Sequence, residues 1–474
     1  MERAAIVSLA LIVFGCNSAH AHAFGQRYDL PLPLGLYLLG AGAAVAASFI
    51  FLVVFGGAAA AHRRTVFARG VVPSSYVGVL RAFSVALFVI IVAAGLLGNQ
   101  NPLKNIAPTF VWVLWWVGFS FLTAFVGDLW PIVSPFAIIF EWAQSFSRLI
   151  LGRTLVIGRP YPAWLASWPA FMLLLLFAWI ELLAPGRDTP RVVAMGALSY
   201  AAVTWAGCCL FGPRAWMKRG EAFSVFFSLL GRFAPLSVMR GSGQWRWCLR
   251  PFAVGLLGKA PLSSSQVAFT LLMLAVVSVD GFFETPPWAA LLERVTLTAI
   301  SPLSQPSAPL WPATLVLCLA PGLFYLTFLV VIRVMILVTP GSPSMAYLTG
   351  RFVLTLIPIA IAYHLSHYIS FLLLAGQLVI PLVSDPFGLG WDLFGTTLYR
   401  INIGIIDART AWFVAVGAIV TGHVLATWIA HEVAMQVFMN AGAARANQIP
   451  MVVLMVGYTV LSLWILAQPI VESR

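Results

Sequence analysis

Four histidines lie within apolar stretches of this sequence that are long enough to cross a lipid bilayer. His364 and His367 are in one stretch, and His423 and His431 are in another stretch further along the chain. An ionisable side chain at membrane depth costs several kcal/mol, so it usually faces the protein interior and marks a functional site. We therefore expect this protein to carry out chemistry within the membrane.

The spacing of these histidines favours a metal site. His364 and His367 are three residues apart, which puts both imidazoles on one face of a helix. Counted from the basic residues at the membrane edges, His364 and His423 each lie about 20 Å deep, so the two can be level. Neutral imidazole is a common ligand for Zn, Cu, Fe and Ni. The pattern predicts a divalent metal ion bound by His364, His367 and His423, and the alternative for each histidine is a hydrogen bond within the bundle.

Other polar residues near these stretches extend the predicted site. Asp280 closes its apolar stretch and is the candidate general base, metal ligand or partner of a metal-bound imidazole. Tyr363 and Tyr368 flank the histidine pair and could donate hydrogen bonds to a leaving oxygen. A second metal hypothesis is a copper brace formed by the α-amino group and imidazole of His22, if cleavage of the leader exposes it. Asp128 is predicted to be a helix-terminus or loop residue.

Composition predicts the fold class. Of the 474 residues, 61% are hydrophobic and 9% are charged, so nearly the whole chain must be embedded in lipid and no separate soluble domain is expected. Residues 1–21 have a basic start, a short apolar run and small residues in Ala-His-Ala spacing, which is typical of a secretory signal peptide. The sequence therefore predicts a signal peptide at 1–21 and a single transmembrane helical domain at 22–474, with an all-α fold.

Ten membrane spans are predicted, and the distribution of charge orients them. They lie at roughly 33–57, 82–99, 108–127, 162–183, 192–211, 265–283, 309–332, 352–376, 410–431 and 449–468. With the mature N-terminus in the periplasm, most of the 27 Lys and Arg residues fall in cytoplasmic segments, as the positive-inside rule requires. The net charge of +12 is therefore a topology signal, and a nucleic-acid partner is not expected. The predicted location is a bacterial inner membrane.

Segments between the spans give weaker signals. Residues 127–142 and 380–407 mix Pro and Gly with large apolar residues, which is typical of re-entrant or surface-lying segments. Residues 221–236, flanked by Arg and Lys, predict an amphipathic helix on the cytoplasmic leaflet. The sequence contains no GxxxxGK, HExxH, GxSxG or Cys-x-x-Cys motif, so the corresponding soluble enzyme classes are not indicated.

Four sequence stretches together resemble one bacterial family. They are HAFGQRYDLPLPLGLYLLG, WWVGFSFLTAFVGDLWPIVSPF, LVSDPFGLGWDLFG and GHVLATWIAHE, and they extend from the signal peptide to the ninth predicted span. They resemble the membrane-bound fenitrothion hydrolase family of polytopic proteins. The resemblance implies hydrolysis of organophosphorus triesters such as fenitrothion in the inner membrane, and it assigns no catalytic residues.

The predicted site is compatible with that chemistry. A neutral aryl triester partitions into lipid, so the expected partners are membrane lipids and a small apolar substrate that enters laterally. A metal held by His364, His367 and His423 would lower the pKa of a bound water, and Asp280 would act as base or ligand. The alternative function is a membrane protein that handles or transports copper or another metal ion through the same histidines. A third possibility is an accessory membrane subunit without turnover.

Overall fold

The computed structural model describes residues 29–55, 66–241, 243–299, 310–438 and 441–470, which fold mainly as helices. The predicted signal peptide and His22 lie outside the described residues. In chain order the helices are α1 (Leu34–Phe55), α2 (Ser74–Leu97), α3 (Ile106–Phe125), α4 (Trp130–Val133), α5 (Pro135–Leu151), α6 (Trp168–Leu183), α7 (Pro190–Phe211), α8 (Pro213–Arg219), α9 (Ala222–Leu230), α10 (Ser264–Phe283), α11 (Pro286–Ala299), α12 (Trp311–Val338), α13 (Met345–Ser384), α14 (Ala408–Val437) and α15 (Ala441–Ile470). The strands are β1 (Ala68–Val72), β2 (Leu236–Gly241) and β3 (Gln244–Leu249).

Nine helices in the described part of the chain are long and apolar enough to cross a membrane: α1, α2, α3, α7, α10, α12, α13, α14 and α15. This confirms the predicted all-α, multi-pass class, and each of the nine overlaps a predicted span. The remaining predicted span, 162–183, corresponds to α6, whose 16 residues extend about 24 Å, less than the hydrocarbon core of about 30 Å. The N-terminal end of α6 is covered by protein, because Ser167 is buried and its backbone N–H donates to Ser265 Oγ at 3.0 Å.

Helices α10 and α13 form the centre of the bundle. Both are apolar around their whole circumference, which is the pattern of a helix surrounded by other helices. On one side α13 packs against α14, α14 against α15, and α15 against α1, while α10 packs against α6, α12 and α13. Gly422 of α14 lies so close to α13 that a Cβ there would overlap the methyl group of Ala362. Small residues of this kind allow close approach of membrane helices.

Helix α3 departs from regular α-helical geometry. Residues Thr109–Gly118 form a ten-residue π-helix, a conformation that is rare and is frequently found at functional sites. This segment carries Trp112, Trp115 and Trp116, whose rings pack into the bundle. The side chains of α3 therefore line two separate internal spaces, which are described below.

The predicted surface position of residues 221–236 is wrong. Helix α9 is enclosed by other helices, and Phe223, Phe226 and Phe227 are all buried. Its N-cap, Glu221, is fully buried and accepts hydrogen bonds from the backbone N–H groups of Phe223 and Ser224. Since the helix is apolar on nearly every side and its first turn is capped internally, it packs inside the protein instead of on the leaflet.

A small antiparallel sheet accompanies the helices and was not predicted from the sequence. The strand order is β1-β3-β2, so a strand that follows the first span pairs with one more than 170 residues later. Gly70 of β1 lies opposite Trp247 of β3, where a Cβ would overlap the indole ring. The sheet joins the segments after α1 and after α9 at one end of the bundle.

Candidate functional site

Three helices place polar side chains at the same level inside the bundle. Met273 and Val277 of α10 line a small internal cavity, and Asp280 follows them on the same helix face. Ala360 and His364 of α13 line the same cavity, with His367 and Tyr368 about one turn further along. Leu174 and Ala178 of α6 also line it, and Glu181 follows them. These polar side chains therefore form a layer one helical turn beyond the apolar side chains that line the cavity.

Asp280 is the centre of this polar layer. His367 Nε2 lies 2.9 Å from Asp280 Oδ2, and the Tyr368 hydroxyl donates to the same oxygen at 2.6 Å. The side chains of Asp280 and His367 are only 8% and 4% exposed, respectively. A carboxylate beside imidazole fixes which ring nitrogen carries the proton and stabilises the imidazolium form. The pair can therefore accept and release a proton in a place that excludes bulk water.

Glu181 belongs to this site although the sequence interpretation did not include it. It lies close enough to Asp280 and His367 for their charges to interact. Its Oε2 atom is buried and has no hydrogen-bond partner among the described residues. A signal was available in the sequence, because Glu181 is an acidic residue inside the apolar run FAWIELL. Burying a carboxylate in a membrane span is costly, so its position indicates a functional role.

His364 connects the polar layer to the apolar cavity. Its ring packs against Tyr368 at 4.7 Å and Phe121 at 5.2 Å between centroids. Its Nε2 atom is buried and lacks a hydrogen-bond partner in the described part of the protein. The cavity beside it has a volume of about 30 Å³, and Ser120 is another polar residue in its lining. A space of this size holds about one water, which His364 Nε2 could bind.

Tyr363 lies on the other side of His367. Its hydroxyl is buried without a hydrogen-bond partner among the described side chains. A Cβ built on Gly281 would lie 3.0 Å from the Tyr363 hydroxyl and 3.8 Å from His367 Nδ1. The same Cβ would lie 2.7 Å from Ile465 Cγ2, so Gly281 allows close packing of α10 against α13 and α15 beside these groups. Of the two predicted tyrosines, Tyr368 is bonded to Asp280 and Tyr363 has an unused hydroxyl.

His423 is buried on α14 and does not join the other two predicted ligands. Its Nδ1 lies 2.8 Å from the carbonyl oxygen of Ile419, and its Nε2 has no hydrogen-bond partner in the described residues. Helix α14 contacts the face of α13 that carries Ala362 and Ser366, and the Ser366 hydroxyl is 3.2 Å from the Ala415 carbonyl. At about 100° per residue, His364 lies about 180° from that face. His364 and His423 are therefore on different sides of α13.

The remaining histidine candidate has an ordinary partner. His431 Nδ1 lies 3.0 Å from Gln448 Oε1 on α15. In the described ranges, no group of three His, Cys, Asp or Glu side chains is arranged to hold a metal ion. The donor set His364, His367 and His423 does not fit a single ion in this arrangement. The divalent metal stays a prediction, and no step below depends on it.

Asp128 lies outside the spans, in the turn between α3 and α4, and the prediction for it is confirmed. Its Oδ1 accepts a hydrogen bond from the backbone N–H of Trp130 at 3.1 Å. Burial raises the pKa of the Asp128 carboxyl to about 7, the Trp130 hydrogen bond opposes that shift, and the charge of Glu221 adds to it. Asp128 is thus a structural residue whose charge changes near neutral pH.

Comparison with known proteins adds no assignment. No family model matches this sequence, and neither the curated proteins nor the solved structures contain a significant match. The function must therefore be argued from the site and from the sequence resemblance given above.

Proposed function

We propose that this protein is a membrane-embedded hydrolase of neutral organophosphorus triesters such as fenitrothion, with Asp280 and His367 as its proton-handling pair. The observation that carries the proposal is the 2.9 Å contact between His367 Nε2 and Asp280 Oδ2 within an apolar bundle. The four sequence stretches that resemble the fenitrothion hydrolase family support the substrate class. The apolar surroundings of the pair support a substrate that arrives from the lipid phase.

The chemistry proposed for the pair is general base catalysis. Asp280 Oδ2 contacts His367 Nε2, so the carboxylate orients the imidazole and stabilises it when it takes a proton. A water oxygen forms a bond to phosphorus while His367 takes its proton, and the bond from phosphorus to the aryl oxygen breaks. The nitrophenol oxygen leaves with the electron pair of that bond and receives the proton from His367 or from water. Tyr368 holds the carboxylate of Asp280 in place through its hydroxyl.

The unused groups around the pair have defined roles in this proposal. The Tyr363 hydroxyl would donate a hydrogen bond to the phosphoryl or thiophosphoryl group, where negative charge develops. The apolar cavity beside His364 would accept a small apolar substituent of the substrate or the attacking water. Glu181 would retain a proton or share one with the pair.

The location and orientation are part of the same proposal. The distribution of Lys and Arg supports a position of both mature termini in the periplasm of a bacterial inner membrane. In that orientation α6, α10 and α13 all run outward, which puts the Asp280–His367 pair nearer the periplasmic face. Products that are ionised and water-soluble would then leave toward the periplasm.

The test compares matched histidine variants. Membranes that contain the wild-type protein should release nitrophenol from fenitrothion, and His367→Gln should lower that rate by about 100-fold or more. The control is His431→Gln, because His431 is also buried in the bundle but contacts Gln448 instead of the site. If wild-type membranes release nothing while the purified protein retains a stoichiometric metal ion, handling of metal ions becomes the better assignment.

A further inference from the structure

A second, much larger cavity lies between α2, α3, α6 and α7. Its volume is about 580 Å³, within the range of about 300–1,000 Å³ that is usual for ligand pockets. The lining is apolar and aromatic, with Phe83, Trp112, Phe177 and Tyr200 among its side chains. Protein interiors are otherwise close-packed, and ordered water is bound by polar groups, of which this lining has few. An apolar molecule is therefore needed to fill it.

The cavity opens sideways to the surface that faces lipid. Helices α6 and α7 follow each other in the chain, yet within the described residues they hardly touch. Leu176 of α6 and Val203 of α7 line the cavity and are also exposed, at 53% and 43%. Phe83 of α2 also lines the cavity and is exposed. Since these are membrane helices, the molecules in contact with this opening are lipid acyl chains.

The dimensions of the cavity fit one acyl chain. Its lining on α2 extends from Leu80 to Ile91, which are about 17 Å apart along the helix. Its lining on α7 extends over a similar length, from Val192 to Val203. One leaflet contributes about half of a hydrocarbon core of about 30 Å. The cavity is therefore as deep as a single leaflet.

The two ends of the cavity differ in their polar groups. At the end near Trp130, Glu221 accepts hydrogen bonds from the Tyr200 hydroxyl, from Trp130 Nε1 and from two backbone N–H groups, so those groups are already paired. At the opposite end Arg187 lines the cavity and donates one N–H to the carbonyl of Leu182. A guanidinium has five N–H donors in total. The end with Arg187 can bind an anionic head group.

We propose that this cavity binds one anionic phospholipid, with an acyl chain between α6 and α7 and the head group against Arg187. The proposal does not depend on the proposed hydrolase activity. The wall between the two cavities consists of α3 and of Phe177, whose ring packs at 4.7 Å from Trp116 and at 5.1 Å from Phe223.

The experiment uses Gly196, a glycine in the cavity lining where a Cβ would meet no atom within 4 Å. Gly196→Phe adds a ring to the cavity lining at a position with open space for a Cβ, and Gly417→Phe is the control, because Gly417 of α14 has the same open space but does not line the cavity. The full chain is reconstituted in bilayers of equal phosphatidylglycerol and phosphatidylcholine, extracted, and analysed by native mass spectrometry. A thermal unfolding curve for each variant checks that it is folded.

We expect the wild type and Gly417→Phe to retain one phosphatidylglycerol, and Gly196→Phe to lose it. We expect Arg187→Gln to retain a lipid with no preference between the two head groups, a shift of at least several-fold in their ratio. The proposal is overturned if the wild type retains no lipid or if Gly196→Phe retains as much as the control. An unchanged phosphatidylglycerol preference in Arg187→Gln would overturn the assigned head-group position.

Discussion

Replacement of Asp280 by asparagine is the most informative change to the proposed site. An asparagine side chain has nearly the same shape, and its carbonyl oxygen can still accept the Tyr368 hydroxyl, which is 2.6 Å from Asp280 in the wild type. The amide lacks the negative charge that stabilises a protonated His367 at 2.9 Å. Since a positioned base contributes about 100- to 10,000-fold, we expect the rate of nitrophenol release to fall by that factor.

The assay must separate lost chemistry from lost folding. Loss of one partner of a buried hydrogen-bonded pair costs about 1–3 kcal/mol, which a folded membrane bundle tolerates. Protein amount in the membranes is measured for each variant, and the rate is expressed per folded protein. The matched control is Asp385→Asn, because Asp385 is also hydrogen-bonded, to the backbone N–H groups of Leu389 and Gly390, but lies in a loop. A rate for Asp280→Asn equal to that of Asp385→Asn would refute the role of the pair.

Three further outcomes are expected. His423→Gln should leave the rate of nitrophenol release within about twofold of wild type, because α14, which carries His423, packs on the face of α13 opposite His364. A collapse of that rate together with loss of a bound metal would establish the three-histidine metal site instead. The native pKa of Asp128 is raised to about 7, so the folded state retains this proton to a higher pH than the unfolded chain does. The free energy of unfolding should therefore fall as the pH rises from about 4 to about 7. The unfolding midpoint of Asp128→Asn should not show this decrease with pH. An equal pH dependence of the midpoint in the two proteins would contradict the raised pKa. A reporter that fluoresces only in the cytoplasm should stay dark when fused after Arg474, and fluorescence there would reverse the proposed orientation of the C-terminus.

The membrane helices were predictable because their signal is local. Length and continuous hydropathy are properties of each segment alone, so the apolar run of α13 could be recognised as a span without knowledge of its neighbours. The pairing of β1 with β3 depends on residues far apart in sequence, and nothing in either strand specifies the other. The surface position predicted for α9 is wrong because basic neighbours and aromatic residues, which this helix has, are also typical of a helix on the membrane surface. Its burial follows from partners on α3 and α6.

The candidate site was predictable only in part. The shared face of His364 and His367 follows from their spacing on one helix, and the structure places both next to Tyr368. The depth of His423 was also deducible, but its side was not, since that depends on how α14 packs around α13. Asp280 was recognised as a polar residue near the end of a span, whereas its 2.9 Å contact with His367 required the structure.

The most direct test of the proposed function is hydrolysis by purified, reconstituted protein in water enriched in oxygen-18. We expect fenitrothion to give nitrophenol without label and a phosphorus product with one labelled oxygen, because water attacks phosphorus and the aryl–oxygen bond stays intact. His367→Gln should yield both products at least about 100 times more slowly. Label in the nitrophenol, no release by the wild-type protein, or equal rates for the two proteins would contradict hydrolysis by the Asp280–His367 pair.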